Sequence, residues 1–98
     1  MFVGGQVARD VSGDLIAGGI EAQTRQAMKN VVQALAVAGC TLEDVVKTMA
    51  WLDDARDFAE FNRVYGEFFP ADQPTRSTIE PTNMVATKIE IEVIAYKR

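Results

Sequence analysis

The sequence predicts an α+β domain in which two helices cover one face of a β-sheet. Three observations carry that expectation. Apolar residues recur at helical spacing from about Ile20 to Ala38, aromatic residues do so from Phe58 to Phe68, and apolar and acidic residues alternate from Lys88 onward. The first two patterns are the buried stripes of amphipathic helices. The third is a strand with one face on a core.

Taken in order, residues 1–5 read as a short strand running into Gly4-Gly5. Residues 7–19 hold Gly13, Gly18 and Gly19 with little periodicity, which predicts a loop or irregular hairpin around Ser12-Gly13-Asp14. In the first helix Thr24, Ala27, Val31, Leu35 and Ala38 share one face, widened by Met28 and Val32. Glu21 suits the positive N-terminal end, and Gly39 stands where a left-handed closing residue is usual. Thr41-Leu42-Glu43-Asp44 reads as a capping signature opening a single turn. Val45–Leu52, rich in β-branched and aromatic residues, reads as a strand with Trp51 packed on it. The second helix is expected near Asp57, with Glu60 as its capping-box partner and Pro70 closing it. Phe58, Phe61, Tyr65 and Phe68 form its stripe and read as core. Arg76 to Glu80 is a strand that Pro81 ends. In the last strand Ile89, Ile91 and Val93 face one way, Glu90 and Glu92 the other. The resulting order, β-β-α-β-α-β-β, leaves the second sheet face open, a natural surface for subunits to share.

Composition narrows function mostly by exclusion. With 98 residues there is room for one domain, spanning 1–98, and one core. The net charge of −4 and the lack of a basic run argue against a nucleic-acid partner. No stretch reads as a signal peptide or membrane span, so the expected location is the cytoplasm, with no membrane partner. The chain has no histidine and one cysteine. Ser-His-Asp and Cys-His nucleophilic arrangements are thereby excluded, and no metal site is expected. Cys40 follows a helix C-terminus, the wrong end of the dipole for activating a nucleophile, and reads as inert. No phosphate-loop pattern occurs. Chemistry is left to Arg, carboxylates, backbone groups and water.

Arg76 is the first candidate. It opens a strand after Pro74-Thr75, and a guanidinium fixed there offers a fork of donors matched to a carboxylate or phosphate. Its ordinary reading is a solvated surface residue. Glu90 and Glu92 share one strand face and are suited to acid–base work or to holding a water. Their ordinary reading is the solvent face of an amphipathic strand. Covered by a partner subunit, two like charges need a cation, which Arg76 on a neighbouring strand or subunit could supply.

Several stretches together resemble one family. They are Gly5-Gln6 after an apolar strand, Gln26 to Asn30, Asp44-Val45-Val46-Lys47-Thr48 and Asp57-Phe58-Ala59-Glu60-Phe61-Asn62, with Tyr65 and Phe68-Phe69. Pro74-Thr75-Arg76-Ser77 and Lys88-Ile89-Glu90-Ile91-Glu92-Val93-Ile94-Ala95 are the most specific. The pattern is similar to that of the Rid (YjgF/UK114) family of reactive-intermediate imine deaminases, over nearly the whole chain. The resemblance implies a fold like the chorismate mutase of bacilli, a twisted mixed sheet with two helices packed on one face, assembled as a homotrimer with clefts between subunits. It implies hydrolysis of enamine and imine intermediates such as 2-aminoacrylate to 2-keto acids and ammonia, without a cofactor. It gives Arg76 the role of clamping the substrate carboxylate and Glu90 that of positioning the attacking water. Thr78 falls where a backbone N–H also meets the carboxylate, and Gly5, Phe61 and Asn62 fall at positions lining the pocket.

The sequence departs from the family pattern twice. Gly4 replaces the serine usual before Gly-Gln, and the strand and loop that the family carries ahead of Met1 do not precede it here. That predicts a thinner pocket wall and an unpaired edge on the first strand. A non-catalytic module of the same fold, holding small carboxylates or a protein, is the alternative to the enzyme. A ribonuclease is the third reading, disfavoured by the acidic balance and the absent histidine.

Overall fold

The computed structural model describes residues 2–70, 74–80 and 87–96. Met1 and Pro81, part of the expected first strand and the expected end of the third, lie outside them. Four strands, β1 (Phe2–Gln6), β2 (Val45–Leu52), β3 (Thr75–Ile79) and β4 (Ile89–Ala95), form one sheet in the order β1-β4-β2-β3. β4 runs antiparallel to both β1 and β2, whereas β2 and β3 are parallel. A parallel pair needs a crossover, and the second helix, α2 (Phe58–Phe68), provides it. The first helix, α1 (Ile20–Val37), crosses from β1 to β2.

Both helices lie on one face of the sheet, as expected. Ala27, Met28, Val31 and Leu35 of α1 and Phe61 and Tyr65 of α2 share a core with Ala50, Leu52, Ile89, Ile91 and Val93 of the sheet. The β4 alternation holds through the strand: Ile89, Ile91, Val93 and Ala95 are buried, and Glu90, Glu92 and Ile94 are half-buried on the other side. α1 ends where Gly39 was expected to end it. Gly39 takes φ +75°, its N–H donates to Ala36 O and the Cys40 N–H to Leu35 O, the paired bonds of a left-handed C-terminal cap.

Two local expectations are corrected. Residues 7–19 form the expected loop, an irregular hairpin with the isolated bridge Arg9–Leu15 around a turn in which Asp10 Oδ1 accepts from the N–H groups of Ser12 and Asp14, but not the second strand counted in the order β-β-α-β-α-β-β. Asp57 makes no side-chain cap for α2, because a 3-10 turn over Ala55–Asp57 precedes the helix and Asp54 caps that turn by accepting the Arg56 N–H at 2.9 Å. By contrast, Trp51 is packed on the inner strand β2 as expected, half-buried on the open face opposite Glu90. The single turn after Thr41 is likewise present as Leu42–Asp44, with the Asp44 carboxylate accepting the Thr41 N–H at 2.9 Å.

Two side-chain amides, the buried Gln23 and the half-buried Asn30, tie the loops to this frame. Gln23 donates to Gly18 O at 3.1 Å and accepts the Lys88 N–H at 2.9 Å, joining the start of α1 to the start of β4. Asn30 donates to Val7 O at 2.9 Å and Arg9 O at 3.0 Å, which pins the 7–19 loop along α1. Among the described residues no helix is long and apolar enough to cross a membrane.

Candidate active site

Arg76 lies on β3, an edge of the sheet, with its side chain on the helix-covered face. Its partners on β2 show this: Arg76 pairs with Thr48 and Thr78 with Ala50, both fully buried. The α2 stripe turns beneath it. Arg76 Cζ stands 5.7 Å from the ring centroid of Phe58, 5.3 Å from that of Phe61 and 4.7 Å from that of Tyr65. A guanidinium over ring faces is held by attraction to the π quadrupoles, so the helix supplies an aromatic bed and no anion. The Tyr65 hydroxyl anchors the bed by donating to Thr48 Oγ1 at 3.1 Å. Burial pushes the Tyr65 phenol above its ordinary range, opposed by the Thr48 hydrogen bond and the Arg76 charge. It therefore stays a neutral donor across ordinary pH.

Among the described residues, three buried polar atoms lack hydrogen-bond partners: Thr24 Oγ1 of α1, and Arg76 Nη1 and Thr78 Oγ1 of β3. No described carboxylate forms an ion pair with Arg76. Buried donors are normally satisfied, and a buried guanidinium without an anion is costly. The placement of Arg76 and Thr78 two residues apart on one strand face makes a ready receptor for a carboxylate.

Gly5 and Glu90 form a second group, on the open face. Glu90 lies opposite Trp51 on β2, and Glu92 opposite Met49. Neither carboxylate has an ion-pair partner among the described residues. The idea that Arg76 neutralises them from a neighbouring strand is corrected, because β2 separates β3 from β4 and Arg76 points to the opposite side. Of the six residues singled out, Arg76, Thr78 and Phe61 therefore gather on the helix side, and Gly5 and Glu90 on the open side. Asn62 is exposed on α2 and is hydrogen-bonded to neither group.

Phe58 and Tyr65 are functional candidates that the sequence reading placed only in the core. Phe58 is 43% exposed beside the guanidinium. The available signal was their i−3 and i+4 spacing from Phe61, which puts all three rings on one helix face. No cluster of potential metal ligands occurs among the described residues, and Cys40 is a buried free thiol.

The family model described as Endoribonuclease L-PSP matches residues 1–97. A RutC family protein of Pyrococcus horikoshii is 40% identical, over 99% of this chain and 79% of its own. The human 2-iminobutanoate/2-iminopropanoate deaminase is 35% identical, over 99% of this chain and 72% of its own. The crystal structure of E. coli TdcF with bound serine superposes with a TM-score of 0.92 at 32% identity, covering 99% of this chain and 80% of that one. The shared architecture is the chorismate-mutase-like sheet with its two helices. With the match running from residue 1 to residue 97 and the fold shared along it, this chain belongs to the Rid (YjgF/UK114) family.

Proposed function

We propose that the protein hydrolyses enamine and imine forms of small 2-amino acids, 2-aminoacrylate among them, to 2-keto acids and ammonia. The observation that carries this reading is the buried, unpartnered Arg76 Nη1 on its aromatic bed. Arg76 clamps the substrate carboxylate in a bidentate pair, and Thr78 adds a backbone N–H beside its free hydroxyl. Gly5, Phe61 and Asn62 line the pocket. An enamine first takes a proton at its β-carbon and becomes the protonated imine. Glu90 orients a water and takes its proton as the oxygen bonds to the imine carbon and the C=N π pair moves to nitrogen. Glu90 passes that proton to the nitrogen, then accepts the carbinol hydroxyl proton as C=O forms and the C–N bond breaks, so that ammonia leaves and the keto acid remains. An iminium is already electrophilic, so orientation and one held water suffice, and neither cofactor nor histidine is needed.

Arg76 and Glu90 of one chain face opposite sides of the sheet, so they serve one substrate only across a subunit boundary. The protein works as a homotrimer in which Glu90 of one copy meets Arg76 of the next. The deaminase names of the human relative and the serine bound to TdcF support a small amino-acid-derived substrate.

The same unpartnered donors would also suit a module that binds small carboxylates without turnover, and one experiment separates the two. Imines are generated in situ by an amino-acid oxidase, with semicarbazide competing for them, and wild type is compared with Arg76→Ala. Wild type diverting imine to keto acid, with Arg76→Ala failing to, supports the deaminase. No diversion by either protein, with both folded, leaves the binding module.

A further inference from the structure

We propose that Gly5 acts through what it lacks, as a positioning residue whose missing side chain leaves the place in which the Glu90 carboxylate stands. The claim rests on the deaminase reading, in which Glu90 holds the water. A β-bulge creates the arrangement. Val3 pairs with Val93 and Gln6 with Ile91, so Gly4 and Gly5 together face the single residue Glu92, and the register shifts between them. The extra residue turns the vacant side-chain direction of Gly5 along the sheet toward Glu90.

A Cβ at Gly5 would lie 2.5 Å from Glu90 Oε2, 2.7 Å from Cδ and 3.1 Å from Cγ. Ordinary carbon contacts are about 3.5–4.0 Å, so every side chain but glycine's collides with the carboxylate as placed. Gly4 next to it would meet nothing within 4 Å, so of the pair only Gly5 is demanded. The demand is also purely spatial. The described glycines with positive φ are Gly13, Gly18 and Gly39, and Gly5 is not among them, so the backbone there suits any residue.

The other flank of Glu90 has no such room. Trp51 stands directly opposite on β2, and opposed side chains in an antiparallel pair sit with Cβ atoms about 4.5–5.5 Å apart. An indole on one side and no side chain on the other steer the carboxylate toward β1. Because the colliding atoms are the end of a flexible side chain, an alanine is accommodated by swinging Glu90 away. The fold survives and the water is lost from its place.

The test is a cycle of Gly5→Ala, Glu90→Ala and the double variant, followed by kcat, KM, thermal unfolding and, in Gly5→Ala, the carboxyl carbon resonances of Glu90 and Glu92. Gly5→Ala is expected to lower kcat roughly 10–100-fold, since about 1 Å of misplacement costs that much, with KM nearly unchanged because the clamp is untouched. The melting temperature stays near wild type, and the Glu90 resonance moves while that of Glu92 does not. In the Glu90→Ala background, which removes all three colliding atoms, Gly5→Ala lowers the residual kcat no further. Equal losses on both backgrounds, or a loss in KM alone, would mean that Gly5 touches substrate directly and would overturn the proposal. An unmoved Glu90 resonance overturns it whatever the activity. A Glu90→Gln variant that keeps full kcat refutes instead the deaminase role of Glu90, while the resonance still judges the placement.

Discussion

Arg76 is surrounded by rings, and among the described residues no carboxylate pairs with it. That choice of neighbours keeps the guanidinium planar, oriented and uncommitted, because an internal ion pair would compete with any incoming carboxylate. Arg76→Lys keeps the charge but loses the fork and the stacking. It is expected to raise KM roughly tenfold or more with a smaller change in kcat, measured by initial rates of imine hydrolysis. Tyr65→Phe keeps the platform and leaves Thr48 Oγ1 buried without its donor, at a cost of about 1–2 kcal/mol in denaturant unfolding with KM near wild type. If Arg76→Lys matched wild type in KM, bidentate clamping would be refuted. The candidates Arg76 and Glu90 were legible as residue types suited to carboxylates and water. The bed beneath Arg76 was not, because a helix stripe is the same pattern whether it covers a core or carries a cation.

At the scale of elements, the helices and strands follow local pattern closely, and departures come where turns compete. The second strand expected in residues 7–19 gives way because Asp10 satisfies backbone donors within its own turn. That loop is held from outside instead, by the two hydrogen bonds of Asn30 on α1. Asn30→Ala removes both and is expected to cost about 1–2 kcal/mol in denaturant unfolding, with faster amide exchange confined to the loop. Uniform exchange across the chain would show that Asn30 serves the whole fold. The cap expected at Asp57 fails for a similar reason: a 3-10 turn already fixes the approach to α2, so the capping side chain belongs to Asp54.

At the scale of the molecule, the open sheet face combines apolar and acidic side chains. Phe2 is 79% and Ile79 47% exposed, and Glu90 and Glu92 lie half-buried between the edges. Such a face suits burial against further copies, where the acids need cations that no described residue pairs with them. Light scattering at micromolar concentration is expected to give three times the chain mass, and a monomer mass would sink the trimer. A sharper measure is to mix inactive Arg76→Ala and Glu90→Gln chains by joint refolding. If each cleft takes Arg76 from one copy and Glu90 from the next, about a quarter of the clefts regain both residues and activity returns to about that share. No recovery would confine the chemistry to single chains.

The sequence by itself determined the class, both helices, the places of the four strands, with a fifth counted in residues 7–19, and the alternation that sends Glu90 and Glu92 away from the core. It also removed histidine chemistry outright. These are properties of spacing and composition, and a residue's periodicity fixes its side relative to its own element. Only the tertiary structure decided that Arg76 and Glu90 look to opposite faces, that three rings underlie Arg76, and that Glu90 stands where Gly5 has no side chain. Each of these depends on the strand order β1-β4-β2-β3 and on a bulge in one pairing. Neighbours in that order are distant in sequence, so no local pattern encodes which faces meet.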